Sequence, residues 1–197
     1  MSNGREFFDK IASQWDSTRA VDSKKIAALV EMVGLEPGFS VLDAGSGTGV
    51  LLPFIKKAIG SAGKITAVDF SANMLAKAEE KYGSLGGISF AVGDIMEFVP
   101  GHGVFDAVLC FNFFPHIMDK QKFMTHIRVL LREGGFLVLM HDISRQQVNA
   151  IHQDSEAVKN DRLAPGETVS GWLTTAGYQV TQIIDAEDRY FIKAVKS

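Results

Sequence analysis

A glycine-rich turn between an apolar strand and a helix constrains the fold of this chain most strongly. The segment Ser40–Ala44 is predicted to be a strand, and the segment Gly45–Gly49 after it reads Gly-Ser-Gly-Thr-Gly. The next helix is predicted over Val50–Ile59. Glycine readily adopts positive φ and lets backbone N–H groups come close to a ligand. In an open α/β sheet, such a turn lies beyond the carboxyl ends of the strands, where ligands bind.

Short apolar segments alternate with amphipathic ones along the chain, which is typical of βαβ units and a mostly parallel sheet. Further strands are predicted at Lys64–Asp69, Ile88–Val92, Phe105–Phe111, Phe136–Met140, Tyr178–Ile184 and Tyr190–Val195. Further helices are predicted at Glu6–Trp15, Ser23–Val33, Ala72–Tyr82, Lys120–Leu131, Gln146–Asn160 and Glu167–Ala176. The last two strands are separated by a short acidic link and are expected to form a hairpin.

The spacing of the glycines and the acid before them favour one class of ligand. Dinucleotide-binding turns prefer G-x-G-x-x-G, whereas this turn reads G-x-G-x-G and follows Asp43. A carboxylate there would repel a pyrophosphate and attract the sulfonium and ammonium of S-adenosylmethionine. Asp69 ends the second predicted strand and is expected to bind ribose hydroxyls, because Ser71 is available to cap the next helix. Asp94 and Ile95 follow the third strand and could pair with and cover an adenine ring. The alternative is a structural turn at the glycines and after the third strand, and a helix cap at Asp69.

The composition of the chain argues against several classes of protein. The 197 residues carry a net charge of −3 without a run of Lys or Arg, unlike the basic surface of a nucleic-acid binder. The single cysteine, Cys110, excludes an intrachain disulfide and a thiolate zinc cluster. No apolar run approaches the ~18 residues of a membrane span, and no hydrophobic signal segment opens the chain. We expect a cytoplasmic monomer or homodimer whose partner is a small-molecule substrate.

These motifs, in this order, resemble those of the class I S-adenosylmethionine-dependent methyltransferases. The resemblance is carried by Val41–Gly49, Ala67–Ala78, Gly93–Ile95, Phe105–Cys110 and Leu130–Leu137. The N-terminal segment Phe7–Asp16 resembles the type 11, ubiquinone- and menaquinone-methylating branch. The segment Asn112–His116 departs from the pattern of that branch, which puts a quinone substrate in question.

The resemblance implies a Rossmann-like seven-stranded sheet of order 3-2-1-4-5-7-6, with the last strand antiparallel and helices on both faces. It implies an S-adenosylmethionine-binding domain over residues 35–197. Residues 1–34, which carry Phe7, Phe8 and Trp15, are predicted to form a helical lid. The expected function is methyl transfer to a small molecule by in-line displacement. The alternatives are an S-adenosylmethionine-binding regulatory protein without turnover and a nicotinamide-dependent oxidoreductase.

The resemblance also assigns cofactor contacts residue by residue. The cofactor-binding residues that it implies are Asp43, Gly45, Ser46, Gly47, Gly49, Asp69, Phe70, Met74, Asp94, Ile95, Cys110 and Phe111. From the turn onwards they would contact the methionine end, then the ribose, then the adenine. The last two would line the floor near the sulfonium.

Methyl transfer requires alignment of the acceptor with the methyl group and exclusion of water, and an acceptor of high pKa also needs a base. The candidate bases are His116, after the fourth strand, and His141 with Asp142, after the fifth. The alternatives are a core or helix-start histidine at position 116 and a capping loop at 141–142. No metal is expected. A second hypothesis joins His141, Asp142 and His152 into a divalent-metal site or an acceptor clamp, although their spacing matches no fixed ligand motif.

Overall fold

The computed structural model describes residues 2–18 and 21–197. The helices of the described residues are α1 (Ser2–Ile11), α2 (Trp15–Thr18), α3 (Ser23–Val33), α4 (Leu52–Ile59), α5 (Ala72–Tyr82), α6 (Lys120–Leu130), α7 (Arg145–Gln153) and α8 (Gly166–Thr175). The strands are β1 (Ser40–Ala44), β2 (Lys64–Asp69), β3 (Ile88–Val92), β4 (Phe105–Phe111), β5 (Leu131–His141), β6 (Tyr178–Asp185) and β7 (Tyr190–Lys196). Short 3₁₀ helices occupy Gly83–Leu85 and Phe114–His116. No described helix combines the length and the apolarity that a membrane crossing requires.

The chain divides into two compact units, residues 1–98 and 99–197. In the first unit, β2 pairs in parallel with both β1 and β3. Asp43 of β1 lies opposite Ala67, and Asp69 of β2 lies opposite Val92. Because the three strands run in the same direction, the loops that follow them meet at one edge of the sheet.

In the second unit, β5 pairs in parallel with β4 and antiparallel with β7, and β7 pairs antiparallel with β6. The link between β6 and β7 closes with a hydrogen bond from the Ala186 N–H to the Arg189 carbonyl, which confirms the predicted hairpin. The order of the seven strands is β3-β2-β1-β4-β5-β7-β6. The predicted α/β sheet, including the antiparallel last strand, is therefore confirmed.

Local caps explain where two helices begin and end. The Asp22 carboxylate accepts hydrogen bonds from the N–H groups of Lys24 and Lys25 at the start of α3, and Gly34 ends that helix with a φ of 71°. Ser71 caps α5 by accepting from the Met74 N–H. These are the residue types that satisfy the free N–H and C=O groups of helix ends.

Several predicted boundaries differ from those of the structure. The predicted helix Gln146–Asn160 ends at Gln153, because the His152 ring hydrogen-bonds the Asp161 carbonyl and the chain folds back. The predicted helix Glu6–Trp15 is interrupted between Ile11 and Trp15. β5 begins at Leu131 and not at Phe136, so the strand includes Gly134 and Gly135.

Candidate functional site

The glycine-rich turn of the first unit is anchored on the neighbouring strand. The N–H groups of Gly45 and Ser46 both donate to the Val68 carbonyl, at 2.9 and 3.0 Å. Gly45, Gly47 and Gly49 have φ values of 70°, 53° and 80°, a region that side-chain-bearing residues rarely adopt. The turn therefore depends on its glycines and is held rigidly at the end of β1.

Two of these glycines differ in their surroundings. A Cβ atom at Gly49 would lie 2.7 Å from Leu52 Cδ1 and 3.0 Å from Ala78 Cβ, so this glycine allows the turn to pack against α4 and α5. A Cβ atom at Gly47 would meet no described atom within 4 Å. Gly47 therefore borders open space, as expected of a backbone segment that a ligand approaches.

Asp69 joins the turn to the end of β2. Its Oδ2 atom accepts from the Gly47 N–H at 2.8 Å, and its Oδ1 atom accepts from the Ser71 N–H at 2.9 Å. The side chain is largely buried, with the residue 7% exposed. These two bonds fix the direction of the carboxylate at the strand end, which is the position predicted for a ribose-binding acid.

Asp43 is the most unusual acid of the first unit. The residue is 1% exposed, and its Oδ2 atom has no hydrogen-bond partner among the described residues. Burial, and secondarily the charge of Asp69, raise the pKa of Asp43 to about 7. The buried Ser46 hydroxyl likewise finds no partner in the described part of the chain. Unsatisfied buried polar atoms are costly, and a ligand with a cationic donor group would satisfy both.

The predicted adenine contacts lie at the ends of β2 and β3. Asp94 Oδ1 accepts from the Met96 N–H at 2.8 Å, so its carboxylate already stabilises the turn after β3. Ile95 and Met74 are buried, and Phe70 is half-buried. Contacts of these side chains with an adenine ring remain a prediction.

The helices before the sheet contact the glycine-rich turn and the loop after β2. Asp16 Oδ1 accepts from Thr48 Oγ1 at 2.6 Å, inside the glycine-rich turn. Its Oδ2 atom pairs with Lys81 at 2.8 Å. Partial burial opposes ionisation of Asp16, but the hydrogen bonds from Lys81 and Thr48 outweigh it and lower the pKa of the carboxyl group. The prediction of a lid did not identify this contact.

A second contact joins α1 to the loop after β2. Ser71 Oγ donates to Asp9 Oδ1 at 2.5 Å, and the ring centroids of Phe8 and Phe70 lie 5.8 Å apart. Asp9 and Asp16 both belong to the segment Phe7–Asp16, which carried the resemblance to the ubiquinone- and menaquinone-methylating branch. That motif was the available signal, although nothing in the sequence indicated which residues these acids would contact.

The second unit brings two histidines together around one aspartate. His116 Nδ1 lies 2.7 Å from Asp161 Oδ2, and His152 Nδ1 lies 2.6 Å from the Asp161 carbonyl oxygen. The two rings have their centroids 5.0 Å apart, with 34° between their planes. His116 was a predicted candidate base, whereas Asp161 was not among the predicted site residues.

Lys120 fixes the backbone around His116. Its Nζ donates to the Ile117 carbonyl at 2.7 Å and, more weakly, to the Pro115 carbonyl at 3.4 Å. Burial lowers the pKa of Lys120, and the charge of Asp161 opposes that shift. The ammonium therefore closes the 3₁₀ helix Phe114–His116 that follows β4.

The residues after β4 and β5 form a separate contact. Asn112 Nδ2 donates to Asp142 Oδ1 at 2.9 Å, and Asn112 has a φ of 51°. The His141 ring is buried and lies edge-on to Tyr190, with centroids 6.0 Å apart. Cys110 is buried within β4, and Phe111 is half-buried at its end.

The structure does not support the hypothesis of a metal site. Across residues 2–18 and 21–197, no three His, Cys, Asp or Glu side chains are arranged to hold a metal ion. His152 contacts Asp161 and His116 instead of completing a set with His141 and Asp142.

Comparisons with known proteins agree with this arrangement. Residues 41–135 match the sequence model of a family described as a methyltransferase domain. Demethylmenaquinone methyltransferase of Staphylococcus aureus is 32% identical over 108 residues, which are 55% of this chain and 45% of that protein. The ubiquinone/menaquinone biosynthesis C-methyltransferase of Shewanella woodyi is 25% identical over an alignment of 214 residues, covering 92% of this chain and 84% of that protein.

The fold has a counterpart among solved structures. A SAM-dependent methyltransferase from Aquifex aeolicus superimposes with a TM-score of 0.78 at 18% identity, covering 96% of this chain and 98% of that one. The match to the Staphylococcus enzyme spans less than half of that relative's length.

The sheet order, the glycine-rich turn and the family match together define a class I methyltransferase domain. The match to the methyltransferase-domain model covers residues 41–135, and the curated relatives of the chain include enzymes of the ubiquinone and menaquinone branch. S-adenosylmethionine is the cofactor of this family, as the motifs predicted.

Proposed function

We propose that this chain binds S-adenosylmethionine at the turn Gly45–Gly49 and transfers its methyl group to a small-molecule acceptor. The observation that carries the proposal is the buried Asp43 carboxylate, whose Oδ2 atom has no partner among the described residues. The cofactor supplies a methyl group on a positively charged sulfur, which leaves as a neutral thioether.

Asp43 would bind the ammonium at the methionine end of the cofactor. Its charged form is disfavoured by burial, so a cationic partner supplies the stabilisation that the unliganded site lacks. The same carboxylate, beside Asp69, would repel a pyrophosphate. This argument favours S-adenosylmethionine over a nicotinamide dinucleotide.

Asp69 and the turn would orient the rest of the cofactor. The Asp69 carboxylate is oriented by the N–H groups of Gly47 and Ser71 and would accept hydrogen bonds from the ribose hydroxyls. Gly47 borders open space, which allows the cofactor to lie against the backbone. Positioning of this kind is the main contribution that an enzyme makes to an in-line displacement.

Helices α1 and α2, which lie within residues 1–34, would form a lid over the cofactor. Asp16 contacts Thr48 in the turn, and Asp9 contacts Ser71 after β2, so both cofactor loops are tied to the same N-terminal segment. A lid held in this way would exclude water from the cofactor.

The relatives narrow the class of acceptor. The two curated relatives are named as methyltransferases of demethylmenaquinone and of ubiquinone and menaquinone biosynthesis. We therefore propose a small organic acceptor, without assigning a quinone, because the segment Asn112–His116 differs from the pattern of that branch.

Calorimetric titration of the purified protein with S-adenosylmethionine and S-adenosylhomocysteine tests this proposal. We expect micromolar binding of both ligands, its loss in Asp69→Ala, and its retention in Asp154→Asn, a control at an exposed acid. Binding of NADH, with no binding of S-adenosylmethionine, would support the oxidoreductase alternative. Binding without release of S-adenosylhomocysteine across an acceptor panel would support the regulatory one.

A further inference from the structure

We propose that the lid helices α1 and α2 respond to the cofactor through Asp69, with Asp9 and Asp16 as the positioning residues that fasten the lid. The lid is joined to the same two loops that the Asp69 carboxylate connects. Ligand binding at Asp69 and closure of the lid therefore stabilise each other. The inference rests on the proposed function, because it takes Asp69 as the ribose-binding acid, and it adds a regulatory role for residues 2–18.

Asp69 connects the two loops of the first unit that the proposal concerns. Its Oδ2 atom accepts from the Gly47 N–H in the glycine-rich turn, and its Oδ1 atom accepts from the Ser71 N–H after β2, at 2.8 and 2.9 Å. An ionised carboxylate has about four acceptor sites, so a ribose diol can donate to Asp69 while both N–H bonds persist. A ligand bound there restrains both loops at once.

Asp16 fastens α2 to the first of these loops. Its Oδ1 atom accepts from Thr48 Oγ1 at 2.6 Å, and Thr48 directly follows Gly47, whose N–H is held by Asp69. Its Oδ2 atom pairs with Lys81 of α5 at 2.8 Å. Because Thr48 is only 3% exposed, opening of the lid would leave a buried hydroxyl without this acceptor.

Asp9 fastens α1 to the second loop. Ser71 Oγ donates to Asp9 Oδ1 at 2.5 Å, and Asn73 Nδ2 donates to the Asp9 carbonyl at 3.1 Å. Ser71 is fully buried, and its N–H is the second group held by Asp69. Each acid of the lid therefore binds a residue that Asp69 orients directly or that follows such a residue in the chain.

An aromatic contact connects the two helices of the lid. The ring centroid of Phe8 lies 5.7 Å from that of Trp15 and 5.8 Å from that of Phe70. Phe8 of α1 thus packs against α2 and against the loop after β2. The polar contacts are partly exposed, with the Asp16 side chain 51% exposed, so each contributes little alone. The lid can open as one unit while the sheet stays folded.

Thermodynamic linkage turns this arrangement into a quantitative expectation. The factor by which the ligand favours the closed lid equals the factor by which the closed lid raises the affinity for the ligand. A few partly exposed hydrogen bonds correspond to a factor of about three to ten. A lid with a purely structural role would not respond to the ligand in this way.

The first test needs no ligand. Hydrogen–deuterium exchange of the full chain, followed by mass spectrometry, measures the opening of residues 2–18. The amide in Asp69→Asn keeps one acceptor oxygen instead of two, so we expect the lid to exchange about three- to tenfold faster. Asp154→Asn, at an exposed acid, is the control, and unchanged exchange of β7 shows that each variant is folded.

Two results of this first test would overturn the proposal. One is a lid in Asp69→Asn that exchanges as slowly as in the wild type. The other is a wild-type lid that exchanges as fast as an unfolded peptide of the same sequence.

The second test adds S-adenosylhomocysteine at saturation. We expect lid exchange in the wild type to slow about three- to tenfold, and the double variant Asp9→Ala/Asp16→Ala to bind the ligand more weakly by the same factor. The lid of the double variant should exchange equally fast with and without ligand. Glu6→Gln, at an exposed acid of α1, is the control and should behave as the wild type.

The single variants test whether the lid opens as one unit. Asp9→Ala and Asp16→Ala should each produce most of the loss of affinity seen in the double variant, because release of one helix frees the other. Losses that multiply in the double variant would show two independent contacts and would contradict a single lid.

The outcomes separate this inference from the proposed function. Binding of S-adenosylhomocysteine without a change in lid exchange, or full affinity in the double variant, would refute the coupling and leave the cofactor assignment intact. Absence of binding by the folded wild type would refute the proposed function. The comparison of unliganded Asp69→Asn with the wild type would then still decide whether Asp69 controls the lid.

Discussion

The two units of this chain differ in whether their candidate polar groups have hydrogen-bond partners. In the first unit, the buried Asp43 Oδ2 atom and the Ser46 hydroxyl have no partner among the described residues. In the second, His116 and His152 are both oriented by Asp161. Buried polar atoms without a partner can be satisfied by a ligand, whereas the two histidine rings are already held by contacts within their own unit. The unsatisfied atoms of the first unit are the basis for the proposal that this unit binds the cofactor.

Neutralising Asp43 would test this contrast with the largest expected effect. In Asp43→Asn we expect the affinity for S-adenosylmethionine at pH 8 to fall about 100-fold or more, because a buried ammonium loses its counter-charge. Calorimetric titration measures the change. Asp154→Asn is the matched control, and an affinity within about threefold of the wild type in Asp43→Asn would contradict the assignment.

The same substitution should stabilise the unliganded protein. Burial raises the pKa of Asp43 from 3.8 to about 7, so the folded state favours the protonated form. The stability that protonation contributes is fully present below the ordinary pKa and is lost as the pH rises through about 7. At pH 8 a neutral amide should therefore raise the Tm by several degrees. At pH 4 the difference in Tm between Asp43→Asn and the wild type should nearly vanish.

Alanine substitutions in the glycine-rich turn test how closely the turn packs against the rest of the first unit. Gly49→Ala should cost about 2–3 kcal/mol of folding free energy, because it adds αL strain and a steric conflict with Leu52. Thermal unfolding measures this loss. Gly47→Ala is the matched control, since its Cβ meets no described atom within 4 Å, and it should cost only about 1 kcal/mol. Equal losses in the two variants would contradict the packing argument.

Cofactor binding should also depend on pH in a defined direction. Because Asp43 must be ionised to bind an ammonium, the dissociation constant for S-adenosylmethionine should rise about tenfold between pH 8 and pH 6, as the carboxyl group titrates near 7. Titrations at a series of pH values measure the slope. In Asp43→Asn the dissociation constant should not change with pH in this range. A flat profile for the wild type would place the ammonium elsewhere.

The smallest effect is expected at the proposed lid. Asp16→Ala removes the contacts with Thr48 and Lys81, and we expect a weakening of cofactor binding by about three- to tenfold, consistent with partly exposed hydrogen bonds. Glu80→Ala, which breaks the exposed pair with Lys77, is the control. Unchanged binding in Asp16→Ala would leave the N-terminal helices without a role at the turn.

The sequence predicted those parts of the site that lie within short, patterned segments. Asp43 and Asp69 end or nearly end apolar strands, and the glycines lie at a spacing with a known structural meaning, so their neighbourhood followed from strand direction alone. The cap at Ser71 followed in the same way. Each of these predictions depended on residues close together in the chain.

Contacts between distant residues could not be predicted in this way. Asp161 lies 45 residues from His116, in a segment without periodicity, and only the fold brings the two together. The same holds for Asp16 and Thr48, which are 32 residues apart. His152, which the metal hypothesis grouped with His141 and Asp142, contacts the Asp161 carbonyl, a backbone atom whose position the sequence does not indicate.

A crystal structure of the protein with S-adenosylhomocysteine tests the central claim most directly. The account predicts that the ligand's ammonium lies about 3 Å from a carboxylate oxygen of Asp43, with the ribose hydroxyls at Asp69. A ligand bound elsewhere, or one bound at the turn while Asp43 Oδ2 stays without a partner, would contradict it.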